Sequence, residues 1–306
     1  MSYVHGVLHR VGCSAVLLAA LTGCNRVEKL PASVGAMAPA ASAAASPGLD
    51  RKDLLALIFP DWQDTAAGRN VEVDLPNHDD SGRPIAGSET TSTAAVAPLE
   101  VVRLDETHAV MLTEAVETDA NGSPLGSHAD GAWLGAYFFS RSAAGWTLNS
   151  RIDGFDYQGF MGSVGNTSVA RIAPQRFALI LENGSCWQGF CGTWLTIFEL
   201  GKSSVQTLVK SVPLQASNEG SSEACGSMLA SKPSTEKVSY GCFDVTGKFS
   251  LALGSNELPG DLRIVFSGNS QVDSDAPLRP VQETLVYRYG QQGYKLISGR
   301  NPVPRF

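Results

Sequence analysis

What most constrains the fold is a long series of short apolar, β-branched runs separated by turn residues. The series opens with Leu99–Leu104, His108–Val116, Trp133–Phe139, Trp146–Ile152 and Val169–Ile172. It continues through Phe177–Leu181, Trp194–Leu200, Val205–Val212, Val238–Phe243, Phe249–Leu253, Leu262–Phe266, Val281–Tyr289 and Tyr294–Ile297. Such brief runs at regular spacing predict antiparallel strands joined by hairpins. One helix is predicted, over Asp53–Phe59, where Leu54, Leu55, Ile58 and Phe59 share a face and Pro60 stops it. The expected fold class is all-β: antiparallel meanders packed as a β-sandwich, with one short N-terminal helix. The alternative is a propeller-like array of β-meanders, because Tyr137–Phe139 with Gly145–Leu148 and Val286–Tyr289 with Gly293–Leu296 form similar aromatic hairpins. Two matches do not establish a period, and paired strands favour aromatic neighbours in any fold.

Arg10 precedes an apolar run, Val11–Leu21, that is shorter than the ~20 residues of a spanning helix and suited to a signal-peptide core. Directly after it, Leu21-Thr22-Gly23-Cys24 resembles the lipobox of bacterial lipoproteins: an aliphatic residue, two small residues, then the acylated cysteine. Small residues there give the processing enzymes access to the thiol and to the bond before it; Cys13 lies inside the apolar run and lacks that context. The resemblance implies cleavage before Cys24 and attachment to a membrane through its lipid, since more than one acyl chain gives stable anchoring. Asn25 rather than Asp follows the cysteine, which by the enterobacterial sorting pattern implies the outer membrane, facing the periplasm. Residues 1–23 are thus read as a signal peptide and 24–48, rich in Ala, Ser and Pro, as a lipidated flexible tether. Residues 49–306 are read as a β-rich globular ectodomain.

With Cys13 removed and Cys24 acylated, Cys186, Cys191, Cys225 and Cys242 remain. An even number in an exported chain suggests two disulfides, with three possible connectivities. Cys186 and Cys191 flank an expected hairpin tip, Trp187-Gln188-Gly189-Phe190, and Cys225 lies in a Ser/Glu-rich loop before Cys242. The favoured pairs are 186 with 191 and 225 with 242. Structural zinc sites space their cysteines more closely, and no Cys-x-x-Cys occurs, so no metal is expected.

Charge excludes one class of partner. The chain carries 23 basic and 30 acidic side chains, a formal net charge of -7, without a Lys/Arg cluster, so nucleic acid is not an expected ligand. Gly-x-Ser-x-Gly, His-Glu-x-x-His, a phosphate-binding loop and Gly-x-Gly-x-x-Gly are all absent from the sequence. The evenly spaced Gly159, Gly162 and Gly165 read as turn glycines. His78, His108 and His128 read as surface or strand-end residues, and Asp119-Ala120-Asn121-Gly122 as a hairpin turn rather than a calcium loop. Asp153 and Asp156, placed in a loop before the glycines, form the acidic pair to inspect for glycoside hydrolysis. No catalytic residue or cofactor is assigned.

Trp187, Phe190 and Trp194 gather around the disulfide-braced tip and form a candidate binding surface. Leu57–Trp62, Asn183–Cys191 and Tyr287–Tyr289 resemble segments of secreted or lipid-anchored proteobacterial proteins, and this resemblance implies a location without an activity. The expected function is that of a membrane-anchored envelope lipoprotein with a binding or structural role, contacting the membrane through its lipid and an envelope protein partner through its domain. The alternatives are an envelope hydrolase and a lipoprotein inhibitor or immunity protein. Convergent acidic or histidine residues in a cleft would favour a hydrolase; an exposed aromatic patch would favour binding.

Overall fold

The computed structural model describes residues 49–62, 68–255 and 258–305. The expected signal peptide, lipobox and tether lie outside these residues. Helix α1 (Arg51–Ile58) is followed by strands β1 (Arg69–Leu75), β2 (Thr90–Arg103), β3 (His108–Glu117), β4 (Ala132–Ser142) and β5 (Gly145–Gln158). These five strands form one antiparallel sheet in chain order. A second sheet of eight strands, also antiparallel and also in chain order, contains β6 (Asn166–Ala173), β7 (Arg176–Trp187), β8 (Phe190–Leu200), β9 (Val205–Ser217), β10 (Phe243–Leu251), β11 (Leu262–Ser270), β12 (Arg279–Gly290) and β13 (Gly293–Ser298). A short helix, α2 (Glu223–Leu229), lies between β9 and β10. The two sheets pack as a β-sandwich; the strands are not arranged as separate blades.

Three apolar layers explain the strand sequences. In the first, α1 buries Leu54, Leu55 and Ile58 against Val73, Met111, Trp133, Tyr137 and Phe139 of the five-stranded sheet. The Asp50 side chain caps this helix by accepting from the Lys52 N–H, satisfying a terminal donor, and Pro60 prevents its continuation. In the second layer, Val110, Leu112, Leu134 and Phe138 meet Leu179, Leu181, Phe198 and Leu200 of β7 and β8. In the third, the other face of β7 and β8 (Ala178, Ile180, Leu195, Ile197) packs with Leu262, Ile264, Phe266 and Leu285 as the large sheet curls on itself. Strands β3, β4, β7 and β8 are therefore covered on both faces, which requires continuous apolar runs. Strand β11 is covered on one face, and its burial alternates residue by residue.

Outside the candidate site, the secondary structure departs from the sequence reading in three places. Strand β1 and the start of β2 occupy a stretch that reads as polar, and Pro98 sits at a register shift of β2, where its missing donor is tolerated. Val238–Phe243 does not form a strand of its own. The Cys242 N–H goes to Gln271 Oε1 and the Phe243 N–H to Asn218 Oδ1, both at 2.8 Å, so the ladder starts at Phe243. In the Ser/Glu-rich segment, Ser222 caps α2 by accepting from the Cys225 N–H.

Cys186 bonds Cys191 and Cys225 bonds Cys242. Both members of the second pair are fully buried, and this bridge ties α2 to the edge of β10. The Cys225→Ala/Cys242→Ala protein is expected to lose about 3 kcal/mol of stability, read from urea unfolding. A loss below about 1 kcal/mol would mean that α2 is held by packing alone. Two disulfides belong to a chain that folds in an oxidising, non-cytoplasmic compartment. Among the described residues no helix is long and apolar enough to cross a membrane.

Candidate binding site

Three connections meet at one end of the five-stranded sheet: 76–89 between β1 and β2, 118–131 between β3 and β4, and 159–165 after β5. The first two are copies of one motif. Asp79-Asp80-Ser81-Gly82-Arg83-Pro84-Ile85 aligns without a gap on Asp119-Ala120-Asn121-Gly122-Ser123-Pro124-Leu125. In the first copy Asp79 Oδ1 accepts from the N–H of Ser81 and of Arg83; in the second Asp119 Oδ1 accepts from those of Asn121 and Ser123. Gly82 and Gly122 take φ of 75° and 79°, a region open to glycine at little cost. The Ser81 hydroxyl and the Arg83 N–H hold the Asp79 carboxyl down to about 2. These carboxylates close turns, as read for Asn121-Gly122, and among the described residues no group of three His, Cys, Asp or Glu is placed to hold a metal. Each copy leaves its last aliphatic half-exposed, Ile85 at 47% and Leu125 at 46%. The sequence contains this repeat plainly, but only a direct alignment of the two turns exposes it.

Behind the turns is a nest of rings. His78 stacks on Tyr157 with centroids 4.1 Å apart, and Trp133 meets both rings edge-on at 5.7 and 5.3 Å. The Tyr157 hydroxyl accepts from the Gly131 N–H at 2.8 Å, which fixes the ring against the β3–β4 connection. Gly159, Gly162 and Gly165 all have positive φ; a side chain at Gly159 would collide with the Ser163 carbonyl. Their structural reading therefore has a physical basis.

The β7–β8 hairpin brings the expected aromatic residues to the same end. Its turn, Gln188-Gly189, has φ of 50° and 81°, matching a two-residue turn with both central residues left-handed. Cys186 and Cys191 face each other across the ladder. Trp187 is 61% exposed and its ring lies 4.9 Å from that of His128, whose Nε2 is 3.0 Å from Ser185 Oγ. Trp194 is half-buried against Phe160 at 5.8 Å. Phe190 turns instead to Tyr240 and Phe243, at 5.5 and 6.4 Å. Trp187 and Trp194 thus touch the loops of the other sheet, whereas Phe190 supports the tip from the α2 side. His128 and Phe160, distant in sequence, were not identifiable as members of this surface.

Catalytic geometry is not assembled by the residues singled out for it. Asp153 and Asp156 lie on β5 rather than in a loop, both buried and pointing to different partners. Asp153 accepts from the Tyr137 hydroxyl, the Asp74 N–H and Arg151. Asp156 accepts from Lys210 Nζ at 2.6 Å and from Gln158 Nε2 at 2.7 Å. Their carboxylates are committed to structure and do not flank a common space. His108 pairs with Asp105 at 2.9 Å at the opposite end of the sheet, while the ring of His128 contacts Ser185 and, among the described residues, no carboxylate. The one histidine–carboxylate pair described, His108 with Asp105, and the His128–Ser185 contact therefore lie at opposite ends of the sheet.

Fold and site together define a two-sheet antiparallel β protein with a disulfide-braced aromatic loop end. No protein-family model, curated protein or solved structure matches the chain.

Proposed function

We propose that this chain is a lipid-anchored protein of the bacterial cell envelope whose β domain binds a protein partner through the loop end that carries Trp187. The observation that carries the binding role is the exposure of Trp187 at the tip of a braced hairpin, with His128 behind it. A large ring held on a rigid turn loses little conformational freedom when covered, and Trp is among the residues that dominate binding energy. Leu125 and Met161, at 46% and 64% exposure, extend the apolar surface beside it. The lipobox-like Leu21-Thr22-Gly23-Cys24 supports the anchor, and the two disulfides support export. The outer membrane, with the domain facing the periplasm, is the location favoured by Asn25.

Mass spectrometry of the mature amino terminus tests the anchor: an acylated peptide beginning at Cys24 is expected, lost in Cys24→Ala. An unmodified terminus at another residue would refute it. For the binding surface, Trp187→Ala is expected to leave the thermal midpoint nearly unchanged, since the ring is mostly exposed. It should weaken partner capture from native envelopes by about 30-fold, equivalent to a hot spot of about 2 kcal/mol. Unchanged capture would remove Trp187 from the interface.

A further inference from the structure

Sharing Leu125 with the apolar surface beside Trp187, a half-enclosed cavity of about 110 Å³ lies between the β3–β4 connection and β5. Its wall combines the rings of Trp133 and Tyr157 with the carboxylates of Glu117 and Asp130, and no Lys or Arg lines it. The rings are fixed: His78 stacks on Tyr157, and the Tyr157 hydroxyl is tied to Gly131. Asp130 accepts at Oδ2 from the Ser127 N–H, and the Ser127 hydroxyl also lowers its carboxyl, while the Glu117 carboxylate makes no hydrogen bond or ion pair among the described residues. The surroundings are equally one-sided. Segments 76–89 and 117–131 together carry six carboxylates against the single guanidinium of Arg83. Burial raises the Tyr157 hydroxyl, the Gly131 N–H works against this, and Asp130 and Glu117 add smaller rises.

We infer that this cavity binds a primary alkylammonium group, presented as a lysine side chain by the protein that covers Trp187. The aromatic wall of Trp133 and Tyr157 favours a cation over an anion, and the carboxylates of Glu117 and Asp130 accept its N–H donors. A quaternary ammonium would have no donors for these oxygens, and an anion would be repelled by them. A bare metal ion would lack a third ligand among the described residues. Asp130 is two residues from His128, which backs Trp187, so one partner can reach both places. The identity of the bearer rests on the binding role proposed above; the chemistry of the cavity does not.

The test is a titration of the mature protein, followed through the Trp133 indole resonance, which Trp133→Phe assigns. n-Butylammonium and Nα-acetyl-lysinamide are expected to shift this resonance saturably. n-Butanol, tetramethylammonium and the Nε-acetylated lysinamide should not, and Glu117→Gln should weaken the response by about three- to fivefold. A resonance that stays still, or that moves equally with n-butanol, overturns the inference. Equal binding by Glu117→Gln also overturns it. Butylammonium binding without lysinamide binding overturns the lysine source. The same titration on Trp187→Ala separates the two proposals: an intact amine response with partner capture unaffected by that substitution would leave the cavity standing and sink the Trp187 surface.

Discussion

Replacing Asp156 with alanine is expected to lower the unfolding free energy by about 3 to 5 kcal/mol, although only a small carboxylate is removed. The side chains of Asp156 and Lys210 are 3% and 12% exposed, and their bond joins β5 of one sheet to β9 of the other. Gln158 donates to the same carboxylate and accepts from Asn183, so the network is satisfied only while Asp156 is present. Truncation strands the Lys210 ammonium where water scarcely reaches it. Burial pushes the Asp156 carboxyl above its ordinary value, with Lys210 pulling it only part of the way back. The attraction therefore does not fully offset the desolvation. From this follows a second result: Asp156→Leu with Lys210→Met should restore stability to within about 1 kcal/mol of the parent, or exceed it.

The pH dependence has a definite sign. A carboxyl raised by folding binds its proton more tightly in the folded state than in the unfolded one, where it titrates at about 3.9. As pH falls through the window between the folded and unfolded values, this group favours the folded state, so acid unfolding does not begin here. Urea unfolding at neutral pH checks the larger claim. A loss below about 1 kcal/mol for Asp156→Ala would mean that solvent reaches Lys210.

Phe138→Ala is expected to be as damaging, at about 3 to 5 kcal/mol, through a cavity rather than a charge. Phe138 is fully buried in the layer where Leu112 and Leu134 of one sheet meet Leu179 and Phe198 of the other. No face of the ring borders solvent, so the vacated volume cannot refill with water at low cost. Because the layer is shared, both sheets should lose stability together. Far-ultraviolet circular dichroism and tryptophan fluorescence should report one coincident transition, moved to lower denaturant. Two separated transitions would show that the sheets fold as independent units and that this layer is not the joint between them.

Strand positions were legible where burial leaves little choice. Runs such as Trp133–Phe139 and Phe177–Leu181 are apolar throughout because both faces of β4 and β7 are covered. Strand β1 does alternate, with Val71, Val73 and Leu75 at period two, but it is short, and the Asp, Gly and Pro residues that follow dominate its surroundings. Helix α2 is bridged through Cys225 to Cys242, just before a strand formed later in the chain, a tie that local propensity does not encode. The disulfide pairing was legible because a two-residue turn places Cys186 opposite Cys191. Asp153 and Asp156 were misplaced because the strand that holds them continues to Gln158, and register shifts with β4 decide where each carboxylate points. The site followed the same division. Trp187 was recognisable from its own hairpin, whereas His128 meets Trp187 and Phe160 meets Trp194 only after two sheets have packed, and sequence spacing carries no trace of that encounter.

Photo-cross-linking in intact cells tests most directly the claim that this anchored domain meets a partner through its loop end. p-Benzoylphenylalanine would replace Trp187 or Leu125 and, as controls, Val265 or Leu296, which are exposed on strands of the large sheet. Ultraviolet-dependent adducts of one mass are predicted at 187 and 125, absent at 265 and 296 and lost in a Cys24→Ala background. No adduct at 187 and 125, or adducts of equal yield at all four positions, would contradict the account.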